Sequence, residues 1–252
     1  MLKNKTSNLE DIFTSVQIKD NIATMYIYGD IVSTEYDSWN EEDIYPGFVS
    51  QFLESSKGKE LHIHINSNGG SVFAGVTIYN LLKSRQGKTI TYIDALAASS
   101  ASLIALAGDE IVMPTGSMLM IHKPWIHIAG NSNELREQAN KLDDIEKNFI
   151  EIYKENLNNQ EDFYKVKEMV DKETWLNSWQ CKTLFKNITV NSSIQACACI
   201  KSESLKYYNI PKSLKIDEGI EKDSNDGDKY QKEALNKELE IEGMLLKHNF
   251  KM

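Results

Sequence analysis

Apolar and polar residues alternate in TMYIYGDI at 24–31, the period of a half-buried strand. STEYDSWNEEDIYPG then reads as an acidic connection and FVSQFLESS as a short helix. From residue 60 the period switches repeatedly. ELHIHIN predicts a strand, NSNGGS a loop, VFAGVTIYNLLKSR a helix and KTITYIDAL another strand. AASSASLIALAG predicts a helix ended by Gly108, and EIVMP and SMLMIHKP predict two further strands. Strand, loop, helix, strand is the crossover order of an α/β sheet, whose ligands gather at the carboxyl ends of the strands. NSNGGS and AASS both stand at such ends.

Over 131–157, Leu135, Ala139, Leu142, Ile145, Phe149 and Ile152 recur at three- and four-residue steps. Asn131 and Glu134 precede them with capping-box spacing, so a long amphipathic helix is expected. A further helix is expected over 160–170, and beyond 182 the periodicity fades. KIDEGIEKDSNDGDK reads as a charged linker, and KEALNKELEIEGMLLKHNF as a weakly amphipathic tail interrupted at Glu242 and Gly243. The expected organisation is a polar lead-in at 1–20, one domain at 21–214, and a charged linker with a helical tail at 215–252. No solenoid-type repeat is present.

Composition narrows the partners. With 41% hydrophobic residues over 252 positions the chain can build a real core. A net charge of -9, from 28 Lys and Arg against 37 Asp and Glu, repels phosphate backbones and anionic lipid. Neither nucleic acid nor a membrane is an expected partner. MLKNKTSNLEDIF lacks the apolar core of a secretion signal, and no uncharged apolar run approaches the roughly 18 residues of a membrane helix, so a cytoplasmic location is expected. Cys181, Cys197 and Cys199 are odd in number and lack paired zinc-type spacing, and they read as free thiols, with no metal expected.

Some residues suit acyl-transfer chemistry, which needs a nucleophile, a base, a group orienting the base, and amide donors for the oxyanion. Ser99 falls where a strand hands over to a helix, beside free backbone amides, and Ala97, Ala98 and Ala101 let a substrate approach. Taken alone, its ordinary reading is a close-packed or capping serine. The glycines of NSNGG can expose amides toward a ligand, although an ordinary turn has the same composition. His62 and His64 share one face of a strand and read as packing residues, whereas His122 ends an apolar strand before Lys123 and Pro124. His127 is framed less clearly. VDKETW offers Asp171 and Glu173 as orienting acids. GxSxG, GxxxxGK[ST] and HExxH do not occur.

Taken together, these stretches resemble the Clp protease proteolytic subunit (ClpP) family, especially its phage-type branch of head-maturation (prohead) proteases. The match spans about 24–180: INSNGGSVFAGVTIYNLL resembles the family's INSPGG stretch and helix, AASSASLIALAG its nucleophile stretch, LMIHKPW its histidine strand, and ETWL its acid segment. The resemblance implies an α/β crotonase-like ββα superhelix, with the long amphipathic helix between rings and a charged tail after the domain. It implies a serine endopeptidase acting on protein or peptide, without cofactor, in homo-oligomeric rings. An AAA+ unfoldase or capsid and scaffold proteins are the partners it suggests. Ser99 becomes the nucleophile, His122 the base, and the Gly70 and Ser100 amides the oxyanion hole, with Gly69, Ser71 and Pro124 lining the substrate site.

Departures from the family pattern mark where this expectation is open. Glu173 stands where housekeeping members carry aspartate, and phage-type members also show ETW; Asp171 stays the alternative acid. Asn68 replaces the proline of INSPGG, Ala95 replaces a glycine, and NSWQCKTLFKNITVNSSIQACAC does not follow the family pattern. Three other readings stand beside the phage-type protease: a housekeeping-type subunit of the same family working with an ATP-driven unfoldase, a catalytically silent assembly protein of the same fold, and a crotonase-type acyl-CoA enzyme.

Overall fold

A computed structural model describes residues 16–195 and 208–209. Its strands are β1 (Val16–Lys19), β2 (Ile22–Ile27), β3 (Glu60–Ser67), β4 (Thr89–Ala98), β5 (Glu110–Thr115), β6 (Met118–Ile121), β7 (Thr174–Asn177) and β8 (Ile188–Gln195). Its α-helices are α1 (Pro46–Ser55), α2 (Val72–Ser84), α3 (Ser100–Ala105), α4 (Ser132–Glu155), α5 (Phe163–Asp171) and α6 (Ser178–Leu184). The strands form one mixed sheet in the order β1-β2-β3-β4-β5-β8, with β6 joined to β4 and β7 to β6. The expected α/β class is therefore observed.

The alternation read from the sequence is the alternation of burial. In β3, Leu61, Ile63 and Ile65 are fully buried, while His62 and His64 face outward and are half-buried. His64 bonds Asp94 at 2.8 Å and stacks on Tyr92, and His62 bonds Glu60 at 2.8 Å, so both have structural partners. Burying an aliphatic side chain stabilises by about 1.5–3 kcal/mol, which fixes the register of such a strand.

β4 is the element that creates the site. Its first half pairs β5 through Ile90, Thr91 and Tyr92, and its last residues pair β6, with Leu96 opposite Met118 and Ala98 opposite Met120. β3 ends beside the same point, with Ser67 opposite Ala97. The carboxyl ends of β3, β4 and β6 thus lie level, where an α/β sheet gathers its ligands.

Several elements differ from the sequence reading. Residues 97 and 98, read as the start of a helix because alanine favours one, continue β4 because β6 offers a partner; the helix occupies only Ser100–Ala105. β1 lies inside the expected polar lead-in and pairs antiparallel with β2. β7 and α6 follow the expected helix at 160–170 as elements that no period announced, and the stretch beyond 182 holds β8, parallel to β5. The long helix is present, and its capping box is formed: Asn131 accepts from the Asn133 and Glu134 amides, and Glu134 accepts from the Asn131 amide at 2.8 Å. The tail at 215–252, with Cys197 and Cys199, lies outside the described residues.

Candidate active site

Ser99 links β4 to α3 with φ 54 and ψ -126, a backbone conformation that costs a residue with a Cβ about 1–3 kcal/mol. Its amide donates to the Met120 carbonyl at 2.9 Å, tying the turn to β6. The hydroxyl does not cap α3; it lies 2.7 Å from His122 Nε2. The remaining serines of the run have other tasks. Ser102 bonds the Ser99 carbonyl and the Tyr153 hydroxyl, and the buried Ser100 side chain faces Gly75 of α2. A Cβ at Gly75 would stand 2.7 Å from the Ser100 Cβ, so a bare backbone on α2 is what lets α3 pack there.

The glycine loop closes the other side. Ile31 donates to the Gly69 carbonyl at 2.8 Å and accepts from the Ser71 amide at 2.7 Å, in a parallel bridge with Gly70. That pattern turns the Gly70 N–H away from Ile31. Among the described residues neither the Gly70 nor the Ser100 amide has a backbone acceptor. Gly69 (φ 91) packs so closely that a Cβ would stand 2.8 Å from the Ser99 Cβ; Gly70 (φ 148) would direct one onto the Ile31 carbonyl. Ser71 caps α2 by accepting from the Ala74 amide. Pro124 joins Val72, Leu103, Phe149 and Tyr153 around a small, largely apolar recess beside Ser99 and His122, with free room for about one water.

The acids separate. β6 and β7 pair antiparallel with Ile121 opposite Thr174, and one further step of that register sets His122 against Glu173. Burial holds the His122 pKa below its usual value, and the nearby Glu173 charge partly opposes this. Asp171 instead bonds Lys123 at 2.8 Å, and Lys123 also reaches Glu146 at 3.3 Å. His127 is exposed and packs edge-on against Trp125.

Two residues absent from the sequence reading stand in the site. The Tyr208 ring meets His122 edge-on at 5.2 Å, and its hydroxyl donates to the Asn68 carbonyl at 2.9 Å. Asn209 donates to Glu173 Oε1 through its backbone amide at 2.5 Å and to Oε2 through its side chain at 3.3 Å. The Trp175 indole adds a donor to Oε1 at 3.3 Å. No period marks KYYN; adjacent aromatics in a polar stretch were the one available signal. Among the described residues no cluster of His, Cys, Asp and Glu could hold a metal, and no helix is long and apolar enough to cross a membrane.

Comparison with known proteins bears on the family and the fold. The family model described as Clp protease matches residues 21–184. An ATP-dependent Clp protease proteolytic subunit of Bacteroides thetaiotaomicron is 30% identical over 52% of this chain and 60% of its own length. The corresponding subunit of Borreliella afzelii is 33% identical over 48% of this chain and 61% of its own. The matches thus span less than two thirds of these relatives. Among solved structures, a point mutant of ClpP1 from Listeria monocytogenes shares the fold with a TM-score of 0.53, at 24% identity, over 68% of this chain and 92% of that one.

Proposed function

Because the chain belongs to the Clp protease family, we propose that it is a serine endopeptidase in which Ser99 attacks, His122 moves the proton and Glu173 orients the histidine. The 2.7 Å contact between Ser99 Oγ and His122 Nε2, on a strained turn beside two amides that have no backbone acceptor among the described residues, carries this reading. Ser99 Oγ bonds to the peptide carbonyl carbon while its proton passes to His122 Nε2. The carbonyl oxygen takes the negative charge, facing the Gly70 and Ser100 amides; one such donor is worth on the order of 3 kcal/mol. Collapse breaks the C–N bond, and the leaving amine takes the proton from His122. Water, deprotonated by the same ring, then releases the acyl group and restores Ser99. A histidine held neutral by burial is ready to accept the first proton.

Homo-oligomeric assembly is part of the proposal, supported by Trp125, Ile126, Ile128 and Leu135, each more than 40% exposed around the start of α4. The relatives' ATP dependence suggests a partner ATPase for this chain too. Within the family, ETW at 173–175 favours the phage-type role in capsid maturation.

Exhaustive labelling with a serine-directed phosphonate tests the reading. Wild type gains one adduct and Ser99→Ala none; equal labelling of both, or none of either after hours, overturns it and leaves the silent assembly reading.

A further inference from the structure

Resting on that proposed chemistry, we propose that Tyr208 and Asn209 form a built-in occupant of the cleft, which holds the Ser99 site in a self-blocked state. Tyr208 lies where a substrate has to pass. Its ring is set against His122 and, at 6.5 Å, against Trp175, and it packs on the small cluster of Leu96, Ala98 and Met120. Its hydroxyl donates to the Asn68 carbonyl, one residue before the paired glycines, and stands near enough to the Ser99 side chain to feel it electrostatically. A group packed against the base and bonded to the glycine loop, beside the nucleophile, shields all of them from a peptide.

Asn209 acts on the acid. The Glu173 carboxylate receives the Asn209 backbone amide, the Asn209 side chain and the Trp175 indole, and among the described residues no hydrogen bond joins it to His122. The histidine therefore keeps its contact to Ser99 while the carboxylate opposite it is engaged elsewhere. Withdrawal of the segment opens the cleft and frees Glu173 for His122 in one movement. An occupant on the same chain competes at an effective concentration on the order of millimolar, enough to suppress weak peptide substrates and be displaced by tight or high-avidity ones.

The test compares full-length wild type with Tyr208→Ala/Asn209→Asp, whose new carboxylate repels Glu173, and with Tyr208→Phe, which keeps the ring and loses the hydroxyl. Initial rates of phosphonate labelling are measured, with folding checked by circular dichroism. The double variant is expected to label at least tenfold faster than wild type, with Tyr208→Phe in between, and a synthetic peptide of residues 203–214 is expected to slow the double variant again. A folded double variant that labels at the wild-type rate or more slowly overturns the proposal.

A second measurement keeps the two readings apart. In a Ser99→Ala background, the His122 ring is titrated by NMR with and without Asn209→Asp. Freed Glu173 is expected to move His122 to a higher midpoint; an unchanged or lower midpoint overturns the self-block. If no form labels even after hours, the serine-hydrolase reading fails, and this titration alone decides whether the segment holds the acid.

Discussion

A single torsion separates Ser99 from its neighbours: at φ 54 it cannot continue β4 or α3, and its hydroxyl is presented to His122. The sign of the pH dependence follows from the histidine. Burial depresses its pKa below the usual 6.5, so the acid limb of kcat/KM is expected to have its midpoint below that value. The neutral, active base is present above the midpoint and lost as pH falls through it. Glu173→Gln removes the influence that raises this pKa, so the midpoint should fall further while kcat/KM drops by about 10²–10⁴. Pairing with Lys123 makes Asp171→Asn a contrasting variant, with the acid limb expected to stay in place. A pH–rate profile on a short peptide checks both. Ser99 and His122 were legible because each ends a strongly patterned strand within an ordered set of motifs. Tyr208 and Asn209 were not: their contacts close a long loop of chain, and neither residue belongs to a periodic run.

At the scale of elements, the site depends on how closely α2 and α3 approach. Gly75→Leu drives side-chain atoms into Ser100, so a loss of about 1–3 kcal/mol is expected from overpacking, read as a lower denaturation midpoint with a reduced labelling rate. Leu176→Ala probes the other wall: this fully buried residue anchors β7 against β6, and its truncation is expected to cost about 2–5 kcal/mol and to loosen the Glu173 side of the site. The elements carrying the recognisable motifs were legible from their periods and caps, down to the Asn131/Glu134 box. β1 and β8 were hidden because one is short and polar-flanked and the other finds its parallel partner, β5, far away in sequence. The alanines of β4 misled because intrinsic preference is weaker than an available strand partner.

For the whole molecule, the apolar face of α4 is only half used. Phe149, Ile150, Ile152 and Tyr153 are buried against the core, whereas Leu135 and Ala139 are exposed. If this face and the preceding Trp125–Ile128 stretch join copies of the chain, light scattering should give a multiple of 28.7 kDa. Ile128→Asp/Leu135→Asp should then lower that mass; an unchanged mass removes this face from the assembly. Either outcome leaves the chemistry of the single chain to be judged by trapping the acyl-enzyme. The protein is mixed with an activated peptide ester, quenched in acid during turnover and mapped by mass spectrometry. The acyl group is expected on Ser99, chased by water, with turnover abolished in Ser99→Ala; an acyl group on another residue, or wild-type turnover in Ser99→Ala, would contradict the account.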